Sequence, residues 1–225
     1  MTKRHVSHQD RRIFAIGDIH GCLSHLKQLF ERLPYVIGRD VLVFLGDYID
    51  RGPDARGVLD FLCELQDTGH ETVMLMGNHE YYLLEAARRS DENLMAALRL
   101  IGAEVTLQSY GVQALSQLKN LAFMPERHRR FLQELKSVWE TEDFIFVHAG
   151  LEPFKPLNDQ QPPVIYEIRD IFFDSDFEFG KTVVFGHTPF ETPFVRHGRI
   201  GIDTGAVYGN LLTAVKLPEV EFYFA

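Results

Sequence analysis

Gly-Asp-Ile-His-Gly at 17–21, Gly-Asp-Tyr-Ile-Asp-Arg-Gly at 46–52 and Gly-Asn-His-Glu at 77–80 carry the residues with the most chemistry in this chain. Each follows an apolar, β-branched run and precedes a helix-like pattern. Asp18, His20, Asp47, Asn78 and His79 are therefore expected at the carboxyl ends of successive strands. In an open α/β sheet, ligands bind at those ends. Carboxylate, imidazole and carboxamide together suit a divalent ion of the zinc, manganese or iron kind, because they span hard and borderline metals. His148 in His-Ala-Gly and His187 in Gly-His-Thr also close apolar runs and precede a small residue or turn. Two cations about 3.5–4 Å apart need a ligand that reaches both, typically a carboxylate. Asp47 is the candidate bridge. Asp18 and His20 would complete one metal position, and Asn78, His148 and His187 the other.

The elements that must hold these residues are legible in the hydrophobic pattern. Ile13–Ile16, Val41–Leu45 and Thr72–Met76 read as buried strands. Between them, Leu23, Leu26, Leu29, Phe30 and Leu33 have helical spacing, as do Val58, Leu59, Phe61, Leu62 and Leu65. This alternation predicts a parallel sheet with covering helices. From Glu80 to about Lys136 the pattern is helical, with breaks near Gly102, Gly111 and Pro125, and reads as a helical insert. Its arginines (Arg88, Arg89, Arg99, Arg127, Arg129, Arg130) are expected to form a solvated face. Strands resume at Val138–Thr141, Asp143–Val147 and Thr182–Phe185, then at Phe194–Arg196 and Ile200–Asp203 around a His197-Gly198 turn. Leu211–Leu217 and Val220–Phe224 are expected to close the chain as antiparallel strands. The proline-rich stretch 151–163 reads as an ordered loop or lid. His5, His8, His25, His70, His128 and His197 lack a strand-end context and read as surface residues. Asp54 reads as a helix-start acid and Asp60 as part of a solvated face.

At 225 residues and 45% hydrophobic content the chain can bury a substantial core, and one domain over 1–225 is expected. A formal net charge of −9 argues against a non-specific nucleic-acid binder, which carries a basic face. Part of that charge would be neutralised by cations on Asp18 and Asp47. No run approaches the ~20 apolar residues of a membrane span. Cys22 and Cys63 show no metal or redox spacing and read as reduced, buried thiols. The expectation is a cytoplasmic protein, monomeric by default, with neither nucleic acid nor membrane as partner.

The ordered series of five motifs resembles the calcineurin-like metallophosphoesterases from about Arg12 to the C-terminus. More narrowly it is similar to the bacterial, bacteriophage-lambda-type branch of the serine/threonine phosphoprotein phosphatases. The resemblance implies an α/β (α+β) fold: a sandwich of two mixed β-sheets flanked by helices, with two divalent ions (Mn, Fe or Zn) above the strand ends. It implies Asp18, His20 and Asp47 on the first metal, and Asp47, Asn78, His148 and His187 on the second. His79 would be the general acid and Asp50 would orient it. Arg51, with Asn78, would hold the substrate phosphate, and Arg169 in Glu-Ile-Arg-Asp would be a second phosphate-binding arginine. The implied reaction is hydrolysis of a phosphomonoester by metal-bound hydroxide, since two cations lower the pKa of water from ~15.7 towards ~7. Asp50 and Glu80 resemble the phosphoprotein phosphatases, which makes a phosphorylated protein the expected substrate. The alternative is a hydrolase of dinucleoside polyphosphates or another small phosphorylated metabolite on the same metals. A scaffold that had lost catalysis would have lost a ligand or His79, and all are present.

Overall fold

Residues 12–225, apart from Ser90 and His197, are described by a computed structural model of the chain. Strand β1 (Ile13–Ile16), helix α1 (Leu23–Arg32), strand β2 (Val41–Phe44), helix α2 (Ala55–Asp67) and strand β3 (Glu71–Met74) alternate as the hydrophobic periods predict. Helices α3 (Asn78–Arg89), α4 (Glu92–Ile101), α5 (Ala103–Ser109) and α6 (Glu126–Gln133) follow. Then come β4 (Val138–Glu140), β5 (Phe144–Val147), the short helices α7 (Val164–Glu167) and α8 (Asp170–Phe173), and β6 (Thr182–Phe185). The chain closes with β7 (Phe194–Arg196), β8 (Arg199–Gly201), β9 (Thr213–Leu217) and β10 (Glu221–Phe224). The expected turn residue His197, like His5 and His8, lies outside the described residues.

The strands form two mixed sheets, ordered β10-β9-β1-β2-β3 and β4-β5-β6-β8-β7. β1, β2 and β3 run parallel, with Ile13 opposite Val41 and Val41 opposite Glu71. β9 and β10 join that sheet as antiparallel strands. Side chains alternate across a strand, so both faces of each sheet need cover. Ala15, Val43, Leu45 and Val215 meet Phe146, Val184 and Ile200 between the sheets. Phe14, Ile16, Leu42 and Phe44 turn the other way, into a cluster with Leu26 and Leu29 of α1 and Val58, Leu59 and Leu62 of α2. Beyond the second sheet, Ile145, Val147, Val183 and Phe185 pack with Ile165, Tyr166 and Phe172. Each fully buried aliphatic or aromatic side chain contributes about 1.5–3 kcal/mol, so the strand ends are anchored by a core that reaches right up to them.

The helical insert is part of that core. Leu98, Ala103, Leu107, Phe131 and Leu132 share the cluster of α1 and α2. Several of its arginines lie on an exposed face: Arg88 and Arg89 pair locally with Glu85, and Arg127 reaches across to Asp67 at the end of α2. One expectation fails. His128 is buried, with Nδ1 2.6 Å from the Tyr110 hydroxyl and Nε2 3.0 Å from Asp60. The strongly polar sequence of α6 hides a face that closes on α2, and Asp60 serves as its partner there. Asp54 does start a helix, accepting the Gly57 N–H at 2.8 Å. The proline-rich loop is braced by buried Gln160, which bonds Glu152 N and the carbonyls of Glu152 and Lys155.

Candidate active site

Five turns leave parallel strands and converge. β1 delivers Asp18 and His20, β2 delivers Asp47, and β3 runs into Asn78 and His79 at the start of α3. β5 ends at His148, and β6 leads through Gly186 to His187. All seven side chains are buried. His20, Asp47, Asp50, Arg51 and His187 have φ of 43, 51, 67, 66 and 64°. Left-handed backbone at residues other than glycine costs of order 1–3 kcal/mol each and persists only where the surroundings impose it. Gly46, at φ 105°, shows how tight those surroundings are. A Cβ there would lie 2.6 Å from Gly77 N and 2.9 Å from His148 Nδ1.

Backbone carbonyls fix the imidazoles. His20 Nδ1 is 2.8 Å from the Ile49 carbonyl, and His148 Nδ1 is 2.8 Å from that of Leu45. A carbonyl only accepts, so each Nδ1 donates its proton and each Nε2 turns a lone pair inward. Asp47 faces both rings with different oxygens: Oδ2 is 3.3 Å from His20 Nε2, and Oδ1 is 3.4 Å from His148 Nε2. The donor atoms fall into two tight groups sharing Asp47, one with His20 and His79, the other with His148 and His187. Asn78 Oδ1 lies 3.1 Å from both His148 Nε2 and His187 Nδ1. Acceptors that face acceptors in this way fit a cation between them; with the amide reversed, its nitrogen would donate to the same atoms and to Asp47. Asp18 lies alongside, its oxygens taking the His187 N–H at 3.1 and 3.0 Å.

The electrostatics agree. Burial, reinforced by Asp203 and Asp47, pushes the Asp18 carboxyl well above its ordinary value. Burial acts on Asp47 in the same sense, but His148, His79 and His20 outweigh it and hold Asp47 well below. Burial lowers His148, and burial together with His148 drives His187 down to about 2. Neutral imidazole is the ligating form, and crowded carboxylates are what a cation relieves. The donor set therefore fits a pair of divalent ions.

Around this cluster stand the other expected residues. His79 Nδ1 is 2.8 Å from Asp50 Oδ2, while its Nε2 is buried, 3.8 Å from Asp47 and without a hydrogen-bond partner among the described residues. Arg51 reaches inward until its guanidinium is 2.8 Å from His20 Nε2. Arg169, between α7 and α8, donates to the Thr188 hydroxyl at 3.1 Å and reaches the His187 carbonyl at 3.5 Å. The structure thus brings all ten expected residues to one end of the sandwich.

Two further buried acids stand there: Asp203, to which the sequence assigns no chemistry, and Glu80, which it offers only as a family marker. Asp203 follows β8 in an apolar-strand-then-Asp context, the same signal that marked Asp18 and Asp47. Glu80 accepts the N–H groups of Asp47, Tyr48, Ile49 and Gly77 at 2.9, 2.8, 3.2 and 3.1 Å. It ties the β2 turn to the β3 turn, through partners that no local pattern announces. An orphaned buried amide costs about 1–3 kcal/mol, so Glu80→Ala is expected to lower the unfolding free energy by about 3 kcal/mol or more in urea titrations. A loss below about 1 kcal/mol would remove Glu80 from this scaffolding role.

The profile of the calcineurin-like phosphoesterase family matches residues 11–209. The chain is similar to bis(5'-nucleosyl)-tetraphosphatase PrpE [asymmetrical] of Oceanobacillus iheyensis, 29% identical over 240 residues that cover 94% of this chain and 90% of the relative. It is similar in fold to a crystal structure of a candidate diadenosine tetraphosphatase, with TM-score 0.72 and 23% identity over 98% of this chain and 95% of that one. A cold-active protein tyrosine phosphatase shares the fold at TM-score 0.64 and 16% identity, over 95% and 78%. Five strand-end turns, a donor set suited to divalent cations and a profile match along most of the sequence converge: the chain belongs to the calcineurin-like phosphoesterases, metal-dependent hydrolases of phosphoric esters.

Proposed function

We propose that the chain hydrolyses dinucleoside polyphosphates, tetraphosphates above all, in place of the phosphoprotein expected first from sequence. The observation that supports this most is the likeness, over nearly the full length of both chains, to proteins named asymmetrical bis(5'-nucleosyl)-tetraphosphatases. Asp50 and Glu80 carry the resemblance to the protein phosphatases. The Glu80 carboxylate is occupied by four backbone amides, so it bears on the scaffold and not on the substrate.

In this reading Asp18, His20 and Asp47 hold one cation, and Asp47, Asn78, His148 and His187 the other; manganese, iron and zinc all suit such donors. The pair, when bound, supplies Lewis acidity to phosphoryl oxygens and lowers the pKa of water towards ~7. Arg51 and Arg169 grip phosphoryl oxygens with charge-assisted, bidentate hydrogen bonds. Tyr208 is 62% exposed, with its ring 5.6 Å from the Arg51 guanidinium carbon, and offers a nucleobase an aromatic face. His79, oriented by Asp50, passes the Nε2 proton to the leaving oxygen.

That buried Asp50–His79 pair favours one second reading, a phosphomonoesterase, because an alkoxide needs a proton more than a nucleotide phosphate does. The two are separated by manganese-supported turnover of diadenosine tetraphosphate against phosphoserine and phosphothreonine peptides. The proposal expects the higher kcat/KM on the dinucleotide, with AMP and ATP as products. Preference for the peptides would return the chain to the protein phosphatases.

A further inference from the structure

The geometry points to Thr106, in the helical insert, as a positioning residue for the leaving-group proton, an inference that rests on the roles proposed above for His79 and Asp50. Thr106 is fully buried on α5, 56 residues from Asp50. Its hydroxyl accepts the Asp50 N–H at 2.8 Å and donates to Asp50 Oδ1 at 2.5 Å. The other oxygen, Oδ2, faces His79 Nδ1 at 2.8 Å. One hydroxyl therefore clasps Asp50 by both its backbone and its carboxylate. The carboxylate cannot rotate towards or away from His79 without breaking a bond at one of its two oxygens. The short O–H···O distance is that of a charge-assisted bond, stronger than a neutral one.

The backbone needs that clasp. Asp50 and Arg51 are consecutive non-glycine residues in the left-handed region, φ 67 and 66°, a conformation held only when neighbours impose it. The insert supplies a second hold one residue along. Arg51 N–H reaches the Gly102 carbonyl at 3.4 Å. Gly102 joins α4 to α5 at φ 89°, so close that a Cβ there would lie 3.3 Å from Arg51 Cγ. The α4–α5 corner thus clamps the dipeptide that carries both the partner of the acid and the phosphate arginine. The insert contributes orientation where it contributes no reacting group, and acid catalysis depends on orientation to within about 0.5 Å.

Leaving-group dependence separates this role from plain packing. Steady-state kcat is measured with manganese on phenyl phosphate, whose phenolate needs a proton, and on 2,4-dinitrophenyl phosphate, whose leaving group does not. Thr106→Val, isosteric and without the hydroxyl, is expected to lose about 10–100-fold on phenyl phosphate and little on the dinitrophenyl ester. Thr106→Ser should restore the wild-type ratio, and Thr106→Ala replaces the valine variant if that one does not fold. Metal content should be unchanged. In chelator-treated protein, the downfield proton resonance of the His79 Nδ1–H should broaden or shift in Thr106→Val and return in Thr106→Ser. Equal losses on both esters, no loss, or failure of serine to restore the ratio would overturn the clasp. His79→Asn, run in parallel, should show the same selectivity more strongly. If it does while Thr106→Val does not, the acid assignment stands and the clasp falls; if His79→Asn is unselective, both fall.

Discussion

His79→Asn is expected to lower kcat by about 10²–10⁴-fold while the protein keeps its metals and its fold. The loss should be greatest on substrates with poorly acidic leaving groups. The expectation follows from what surrounds the ring. Nδ1 is committed to Asp50, and Nε2 is buried beside Asp47, without a hydrogen-bond partner among the described residues. The ring packs edge-on against His20 at 4.5 Å, which fixes its tilt. Asparagine fills part of that volume and can hydrogen-bond Asp50, but it carries no transferable proton. Metal analysis alongside the kinetics is the check. If metal is lost with the activity, His79 belongs to the ligand set that includes His20 and Asp47, and its role as acid is wrong.

Asp47→Ala should remove activity more completely, by roughly 10³-fold or more. Lewis-acid stabilisation is worth several kcal/mol, and each 1.36 kcal/mol is about tenfold in rate. Among the described residues Asp47 is the one carboxylate common to both donor groups, with one oxygen towards His20 and the other towards His148. Its Oδ1 also accepts the His79 N–H at 3.2 Å, so its loss loosens the start of α3. Bound manganese, read by elemental analysis after gel filtration, should fall for both positions at once. Asp47→Asn, which retains shape and one oxygen acceptor, should keep the fold and still lose most of the metal. Full metal content in either variant would show that Asp47 bridges nothing.

Much of this site is legible in the sequence. A strand period followed by Gly-Asp, Gly-Asn-His or His-Ala-Gly specifies both a side-chain chemistry and a place at the strand end, so Asp18, Asp47, Asn78, His148 and His187 were found together. The alternation of strand and helix up to β3 is equally plain, because short apolar, β-branched runs that stop at glycine differ in length and composition from the longer segments with a 3.6 period. What escaped was set by tertiary contact. Glu80 looked like a motif residue with a bearing on substrate, yet its four amide partners lie largely on another turn, and nothing in their sequence shows that they need an acceptor. Thr106 sits in a run of ordinary helical residues, and only the docking of α5 on the β2 turn brings its hydroxyl to Asp50. His128 reads as a surface residue because α6 is dominated by charged residues; its buried face depends on Tyr110 and Asp60, which come from elsewhere in the chain.

The two-metal centre is tested by a manganese titration of chelator-stripped protein, with bound ions counted calorimetrically and hydrolysis of diadenosine tetraphosphate followed on the same samples. A two-metal centre should give no turnover in the stripped protein, two ions bound per chain, and activity that reaches its maximum only as the second site fills. Turnover without metal, or full activity with a single ion bound, would contradict a two-metal centre built on Asp47.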